Sequence, residues 1–551
     1  MAAASDKARG EISSVRDTVE SIWVAILLAL VLRAFLVEAF VIPTGSMAPR
    51  LMGEHWDLVC PACGYEYAFG VAAAGSTSAG AGQLRQLDKS QRYHPPNAHC
   101  PNCGKPYDGS REYVGSGDRV LVLKYLYRFS PPQPFDVVVF RNPQNNRENY
   151  IKRLIGLPGE TIELLHGDVF VSETPSAPRR IRRKPPVAQE AMWQVVFDND
   201  YQIDPGFCRQ SRCPKWVATP REEDWEVDTY HRRWTFKGGS GGALVFDADP
   251  AVFLPHYGYN SPESEAAANG ETDVCTDLKL AVMFTPAEPS SSVALVLTSM
   301  ENRFRAELSA DGTASLLYQA FGWPADRWDQ WGIVRRAAMA PGRGYQLALM
   351  NVDLSVKVAI DGQIVLDVTD RYPETYESIK RRLQQAQHRP IPTPQAQVYV
   401  WGGPCELSHI SLMRDVYYTN PRLAGPVPGP LGDFARRLHR AGLANVAKGA
   451  PGWGTTGNPI TLAKHDDNPD LDEFFMLGDN SPQSYDSRAW TAAAPTLRLY
   501  NGDVAIYQLG TVPRYNLIGK AFCVYWPSAF RLPGLPGLPI VPNFGKMRFI
   551  R

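Results

Sequence analysis

The sequence predicts a mainly β protein that begins with a transmembrane helix and whose β core is interrupted by two insertions. Three observations lead to this prediction. A single long apolar run occupies residues 22–42. Short runs rich in β-branched residues, separated by proline, glycine and asparagine, recur along the rest of the chain. Two stretches of different character, 60–112 and 172–425, divide those runs into separated core segments.

The composition is that of a large globular chain without a nucleic-acid-binding character. The 551 residues, 44% of them hydrophobic, provide enough chain for several domains. The 57 basic residues equal the 57 acidic ones in number, so no excess of positive charge indicates a nucleic-acid partner. We therefore expect none.

The apolar run predicts an uncleaved anchor in the lipid bilayer. It contains only two charged residues, Arg33 and Glu38, and no small-residue cleavage site closes it. Arg33 at the bilayer centre would cost about 2.5–3.5 kcal/mol, so we expect the span to end near residue 33. The alternative interpretation is a buried core helix.

The distribution of basic residues predicts the orientation of this anchor. Lys7, Arg9 and Arg16 precede the apolar run, whereas Arg50 is the only basic residue in the twenty positions after it. Because lysine and arginine are retained on the cytoplasmic side, we expect a single-pass protein of the cell (inner) membrane with everything after the anchor on the extracytoplasmic side.

The remaining chain divides by composition into six further segments. The first insertion contains two Cys-x-x-Cys pairs, and the second contains alternating strand-like runs with turns such as "ADG" and "IDG", which is typical of a β-sandwich. The predicted domains are an anchor with its cytoplasmic N-terminus (1–33), a first core segment (34–59), a zinc-ribbon-like insertion (60–112), a second core segment (113–171), a β-sandwich insertion (172–425), a linker (426–460), and a third core segment with a Pro-rich tail (461–551).

Three separated core stretches contain the residues that can support chemistry. They are "IPTGSMAPRL" at 42–51, "YIKRLIGLPGE" at 150–160 and "GDNSPQSYDSR" at 478–488. In this order, after an N-terminal anchor, they resemble bacterial type I signal peptidases, the membrane-anchored Ser/Lys endopeptidases. The resemblance covers about 34–59, 113–170 and 461–527 and includes neither insertion.

The resemblance implies that Ser46 is the nucleophile and Lys152 its general base. A serine hydroxyl needs a base, and a lysine can act as one only if its pKa falls towards neutrality, as burial would achieve. The neighbours of Lys152, which include Tyr150, Ile151 and Leu154, make an apolar pocket plausible.

The same resemblance implies supporting roles for residues around this dyad. Ser46, through its backbone N–H, and Thr44, through its hydroxyl, would form the oxyanion hole. Gly45 would let the substrate backbone approach, and Met47 would line a substrate pocket. The remaining supporting residues are Ser484, which would hydrogen-bond the lysine, Asp486 and Arg488, which would form an ion pair, and Arg153, which would have a structural role.

The expected activity is that of a serine endopeptidase that removes signal peptides from exported preproteins, with no cofactor for catalysis. Two alternatives remain open. One is a membrane-anchored binding protein on an inactive peptidase scaffold. The other is a dedicated Ser/Lys peptidase with one partner substrate.

Four cysteines in the first insertion predict a structural zinc site. Cys60 and Cys63 form one Cys-x-x-Cys pair, and Cys100 and Cys103 form the second. Two such pairs, each followed by glycine, are typical of a zinc ribbon. Two disulfides are the alternative, because this segment is expected outside the cytoplasm.

The β-sandwich insertion resembles concanavalin-type or laminin-G-type modules on its strand pattern. Such modules bind glycans or proteins and also serve as spacers, so a glycan or protein ligand is one expectation. Cys208 and Cys213 are close enough in sequence to form a disulfide.

Overall fold

A computed structural model describes residues 18–28, 36–71, 91–95, 97–201, 203–208, 213–220, 222–228, 232–255, 274–386, 390–423, 449–491, 493–494, 497, 507–528 and 543–550. Most of the predicted linker, the Pro-rich tail and parts of the predicted anchor lie outside these residues. Residues 18–28 are helical, and their apolar side chains, among them Trp23 and Leu27, are exposed. Among the described helices, none is both long enough and apolar enough to cross a membrane.

The described chain is mainly β, as predicted, and its 31 strands are numbered β1 to β31 in chain order. Two sheets form the core. In spatial order, the strands of the larger core sheet are β1 (Val37–Val41), β6 (Arg119–Leu123), β30 (Leu517–Trp526), β7 (Val137–Asn142), β8 (Asn145–Gly156), β28 (Glu473–Leu477) and β29 (Val512–Pro513), with β31 (Arg548–Phe549) paired to β30. The smaller core sheet has the order β11 (Arg180–Ile181), β10 (Asp168–Ser172), β9 (Thr161–Leu165) and β27 (Ile460–Thr461).

Strand β7 shows why the larger core sheet is buried on both faces. Its alternating side chains enter two apolar clusters, because successive residues of a strand point to opposite faces. Val137 and Val139 pack with Met47 on one face. Val138 and Phe140 pack with the cluster of the other face. Because both faces are covered, residues 137–140 are all apolar and do not alternate between apolar and polar side chains.

The second insertion folds as two packed antiparallel sheets, as its strand pattern predicts. One sheet has the order β14 (Trp225–Asp228), β15 (Arg233–Phe236), β26 (Cys405–Arg414), β17 (Leu278–Pro286), β22 (Tyr345–Val352), β23 (Ser355–Ile360) and β24 (Gln363–Val368), with β12 (Gln194–Asp198) paired to β26. The other has the order β13 (Lys215–Thr219), β16 (Gly239–Asp247), β25 (Ala396–Gly402), β18 (Ser292–Ser299), β19 (Asn302–Ser309), β20 (Thr313–Gln319) and β21 (Asp329–Arg335). Alternating residues such as Leu280, Val282 and Phe284 fill the space between them.

Short helices and turns connect these sheets. The short α-helices are α1 (Leu126–Phe129), α2 (Pro186–Met192), α3 (Pro205–Cys208) and α4 (Tyr376–Gln385). Apolar residues of α2, Ala188 and Met192, pack against the core residues Ile155 and Ile162 together with Tyr418, which follows the last sandwich strand. The sandwich is thus attached to the core through a buried apolar junction.

The first insertion begins with a hairpin whose first strand lies inside the first core segment. Strand β2 (His55–Val59) pairs with β3 (Glu66–Gly70) instead of joining the core sheet, and β4 (Arg92–Tyr93) pairs with β5 (Glu112–Tyr113). In the sandwich, Cys208 and Cys213 form the predicted disulfide.

Candidate active site

Ser46 lies in a short 3-10 turn, Gly45–Met47, that directly follows the extended residue Thr44. The Ser46 side chain is 8% exposed. Met47 is wholly buried and packs with Leu51 in the apolar cluster under the turn. In this structure Met47 therefore holds the turn from beneath, whereas the resemblance implies that it lines a substrate pocket.

Asp118 ties together the two ends of the loop that carries the turn. Its backbone carbonyl accepts from the Ile42 N–H at 2.9 Å, and its Oδ2 accepts from the Met52 N–H at 3.0 Å. Arg548, near the end of the chain, donates to the same carboxylate oxygen at 3.0 Å. The loop between residues 42 and 52 is therefore closed at its base by one buried aspartate.

Gly53 allows the chain to pass close behind the turn. A Cβ atom at this position would collide with the carbonyl of Thr44 and the backbone nitrogen of Gly45. The close approach of these two backbone segments thus requires glycine at residue 53.

Lys152 reaches the turn from strand β8, where it lies opposite Val138 of β7. Its Nζ donates a hydrogen bond to Ser46 Oγ, and both side chains are buried. Residues two apart on a strand share a face, so Tyr150 and Leu154 flank the lysine. The Nζ lies 5.4 Å from the centre of the Tyr150 ring. The pocket of Lys152 is therefore largely apolar.

Burial lowers the pKa of Lys152 to about 8, because removal from water disfavours the ammonium form. The carboxylates of Asp486 and Asp479 act in the opposite direction and raise the pKa, and the Arg488 guanidinium lowers it. A substantial fraction of this lysine is consequently neutral at mildly alkaline pH.

Each of these two carboxylates is paired with an arginine. Arg153 donates to both oxygens of Asp479, at 2.7 and 2.6 Å. Arg488 donates to both oxygens of Asp486, at 2.9 and 2.7 Å. Burial raises the pKa of Asp486, but the Arg488 charge and its hydrogen bonds lower it by more, so the carboxyl stays ionised. The two ion pairs limit the negative charge that acts on the lysine.

Two residues that the sequence did not single out for the site also lie in contact with it. Asn480 donates from its backbone N–H to the Ser46 carbonyl at 3.1 Å and from Nδ2 to the Gly45 carbonyl at 3.0 Å. Ser481 Oγ accepts from Arg488 at 2.6 Å and from the Thr419 N–H at 2.8 Å. The sequence signal for both residues is their place in the stretch 478–488, directly after the buried strand β28.

Ser484 lies near the dyad without the hydrogen bond to Lys152 that the resemblance implies, whereas the oxyanion role of Thr44 involves a bound substrate and stays a prediction. The buried Ser484 Oγ has no hydrogen-bond partner among the described residues, so a bond to Lys152 is not formed. Thr44 is exposed, and its hydroxyl makes no capping bond to the turn that follows.

A cavity of about 260 Å³ lies beside the turn, at a junction of three regions of the chain. Pro49 and Asn480 of the core line it, together with Tyr67 of the first insertion and Trp193 and Arg414 of the sandwich. Both insertions therefore contribute walls to the space beside Ala48 and Pro49, which follow the turn.

The four cysteines of the first insertion converge at one buried point. Cys60 Sγ lies 3.5 Å from Cys103 Sγ, and Cys63 Sγ lies 3.6 Å from Cys100 Sγ. All four sulfur atoms are within 4.8 Å of one another, and none of the four cysteines is in a disulfide.

The two cysteine pairs have the same backbone geometry. Gly64 donates its N–H to the Cys60 carbonyl at 2.8 Å, and Gly104 donates to the Cys100 carbonyl at 2.9 Å. Both glycines have φ of 73°, in the left-handed region that favours glycine. The repeated geometry directs both thiols of each pair towards the same point.

Comparison with known proteins relates two segments of the chain to peptidases, and the first of them extends beyond the core into both predicted insertions. Residues 106–206 and 456–526 match the family model described as "Signal peptidase, peptidase S26". Signal peptidase I of Leptolyngbya laminosa is 40% identical over 76 residues, which are 12% of this chain and 37% of that protein. Signal peptidase I of Pseudomonas aeruginosa is 31% identical over 143 residues, 26% of this chain and 32% of that protein.

These matches are partial. The chain spans 37% of the length of the first two curated relatives that it matches and 32% of the Pseudomonas aeruginosa one. The matched family segments include Lys152, Ser484 and Arg488 but not Ser46. Over these segments the chain is similar to signal peptidases, which are serine peptidases.

Some solved structures match with low scores. A carbohydrate-binding module of Bacillus subtilis, CBM66, has 10% identity and a TM-score of 0.23, covering 36% of this chain and 94% of its own. A Bacillus licheniformis β-glucanase has 11% identity and a TM-score of 0.22, covering 37% and 91%. Likeness at this level indicates nothing about what the chain binds.

The Gly53 contact yields a prediction about stability. We expect Gly53→Ala to lower the free energy of unfolding by about 1–3 kcal/mol, because the added methyl group collides with backbone that cannot move aside without displacing the turn. Urea unfolding followed by tryptophan fluorescence measures this difference. Gly545→Ala is the control, since its Cβ would meet only Asn543 Oδ1 at 3.7 Å. Equal stability of the two variants would show that the approach behind the turn is not tight.

Proposed function

We propose that this protein is a membrane-anchored signal peptidase in which Ser46 attacks the scissile carbonyl and Lys152 is the general base. The observation that carries the proposal is the hydrogen bond between Lys152 Nζ and Ser46 Oγ, two residues 106 positions apart that meet in a buried pocket. The partial similarity to signal peptidases supports the same assignment.

The chemistry follows from the protonation state of the lysine. In its neutral form, Lys152 accepts the Ser46 hydroxyl proton as Oγ bonds to the carbonyl carbon, and the carbonyl oxygen becomes an oxyanion. The resulting ammonium then gives its proton to the leaving amine, which frees the C-terminal product and leaves an ester on Ser46. A water molecule, deprotonated by the same lysine, hydrolyses the ester and restores the hydroxyl.

The turn supplies the groups for stabilising the oxyanion in this proposal. The Ser46 N–H is at the start of a 3-10 turn, where backbone N–H groups lack intrahelical partners. Thr44 precedes it in extended conformation with its side chain exposed, so the hydroxyl is available to a substrate. One such donor is worth about 10²–10³ in rate.

The substrates in this proposal are preproteins that carry a signal peptide, and the protein acts on the extracytoplasmic side of the cell membrane. Two features support the membrane location. The helical residues 18–28 expose large apolar side chains, such as Val24, which is 64% exposed. The nucleophile follows the predicted end of the anchor, near residue 33, by a short stretch of chain, which would keep it near the bilayer surface where a signal peptide emerges.

The lowered pKa of Lys152 predicts the pH dependence of cleavage. Because only the neutral amine accepts a proton, we expect kcat/KM for a preprotein substrate to fall about tenfold per pH unit below a midpoint near 8, and to level off above it. A pH–rate profile of the detergent-solubilised protein measures this midpoint.

Three variants show whether Lys152 sets the midpoint of this pH profile. Ser46→Ala and Lys152→Ala should each abolish cleavage at every pH. Lys464→Ala removes a lysine whose side chain is 63% exposed and should leave the midpoint unchanged. Cleavage that persists without Lys152, or a midpoint near the ordinary lysine value of about 10.4, would contradict the proposed base.

The Asn480 side chain should affect the rate more than the stability. Asn480→Ala removes the bond from Nδ2 to the Gly45 carbonyl and frees the turn, so we expect kcat to fall about 10- to 100-fold. Asn458→Ala is a matched control, because Asn458 Nδ2 donates a bond of 3.0 Å to the Pro451 carbonyl instead. Both changes should lower the free energy of unfolding by about 1 kcal/mol. Equal kcat values for the two variants would exclude a positioning role for Asn480.

The four cysteines of the first insertion support an additional proposal, a structural zinc ion. Zinc binds four thiolates tetrahedrally at about 2.3 Å, which places neighbouring sulfur atoms about 3.8 Å apart. The two closest sulfur pairs, at 3.5 and 3.6 Å, agree with that spacing. Cys60, Cys63, Cys100 and Cys103 would hold the ion and lock the two halves of the insertion together.

The zinc proposal predicts one zinc ion per chain and a protein destabilised by its removal. We expect a chelator to lower the melting temperature by several degrees, because metal binding of this kind contributes directly to folding. Cys60→Ser should purify without stoichiometric zinc, whereas Cys523→Ser, at a free cysteine outside the cluster, should retain it. A zinc-free wild-type protein whose four thiols are oxidised would instead indicate two disulfides.

A further inference from the structure

A cluster of buried carboxylates lies where the sandwich meets the core. Asp168 begins core strand β10, Asp277 directly precedes sandwich strand β17, and Asp353 lies in the turn between β22 and β23. One oxygen from each of the three lies within 4.8 Å of the others. Nothing in the local sequence of any one of them predicts this meeting.

Lys184 neutralises one side of the cluster. Its Nζ lies 2.5 Å from Asp353 Oδ1 and 2.7 Å from Asp415 Oδ2, and its backbone N–H donates to Asp353 Oδ2 at 2.9 Å. The lysine thus pairs directly with Asp353 and Asp415.

Asp168 has no such partner. Its side chain is 9% exposed, and among the described residues no hydrogen bond or ion pair reaches its carboxylate. Its oxygen lies close to those of Asp277 and Asp353. An ionised carboxylate that is buried beside two others without a direct partner is unfavourable, and either a proton or a further cation can remove that cost.

A small cavity of about 10 Å³ adjoins the unpartnered carboxylate. Asp168 and Asp277 line it together with His166 and Thr276. Its volume is close to the minimum of about 10–15 Å³ that admits a single water-sized particle. The space beside Asp168 and Asp277 is thus no larger than a single ion or water molecule, and Asp353 approaches the two carboxylates from outside its lining.

We propose that Asp168, Asp277 and Asp353 bind a hard divalent cation, Ca²⁺ in the first instance. Calcium takes oxygen ligands at about 2.3–2.6 Å, so oxygens on opposite sides of the ion lie about 5 Å apart. The three carboxylate oxygens, all within 4.8 Å of one another, fit that limit. The ion supplies the positive charge that Asp168 lacks.

The proposed ion lies between the sandwich and the core, close to the segment that contacts Arg488 of the candidate active site. Asp168 belongs to the core, whereas Asp277 and Asp353 belong to the sandwich, so the ion bridges the two. From Asp415 the chain runs to Thr419, whose carbonyl accepts from Arg488 at 2.8 Å. The segment that contacts Arg488 therefore begins at a residue that shares Lys184 with the proposed ligand Asp353.

Calcium binding can be tested on the full chain in detergent after chelator treatment. We expect CaCl₂ titrated alone to give one binding event per chain in calorimetry, and 1 mM Ca²⁺ to raise the melting temperature by about 3 °C or more. MgCl₂ is the second arm, and a response to either ion supports the site. Both measurements are independent of whether the chain cleaves preproteins.

Two variants assign the binding to this cluster. Asp168→Asn should lose the response to the ion and, in chelator, should melt no lower than wild type, because it removes an unpartnered charge. Asp472→Asn, at an equally buried carboxylate that pairs with Arg514 elsewhere, should keep the response. The proposal is overturned if neither ion shifts the wild-type melting temperature, or if the folded Asp168→Asn variant responds as wild type does.

Discussion

The contact between Lys152 and Ser46 is the constraint on which the candidate site depends. It requires a lysine to be buried on a core strand and a serine turn to be pressed against it, and neither condition is favourable alone. Burial disfavours the ammonium, which lowers its pKa to about 8 and gives the amine its use as a base. Much of the surrounding structure serves to keep these two side chains in place.

The turn is held by residues that are far apart in sequence. Asp118 closes the base of the loop, Met47 anchors it in the core, and Asn480 bonds two of its carbonyls. The second insertion belongs to the same arrangement, because Thr419, just beyond its last strand, bonds to both Arg488 and Ser481. The insertion is therefore connected to the support of the site and is not a separate appendage.

The features that depend on local pattern could be predicted from the sequence. Apolar strand runs, the Ser46 turn and the strand around Lys152 could be recognised because each is contained within about ten residues. The roles of Asn480 and Ser481 could not, since Asn480 bonds to Gly45, 435 positions away, and Ser481 bonds to Thr419, 62 positions away. The resemblance places Met47 in a substrate pocket, although an apolar residue in a turn can equally face the core below it.

Two buried groups of carboxylates in this chain show how pairing determines chemistry. Near the dyad, Asp479 and Asp486 each bond an arginine through both oxygens, so their charge is largely compensated and Lys152 can lose its proton near neutrality. At the junction with the sandwich, Lys184 pairs directly with Asp353 and Asp415, and Asp168 has no direct ion pair among the described residues. Compensated carboxylates permit a neutral lysine, whereas uncompensated ones attract a metal ion. The same residue type therefore supports proton transfer at one site and cation binding at the other.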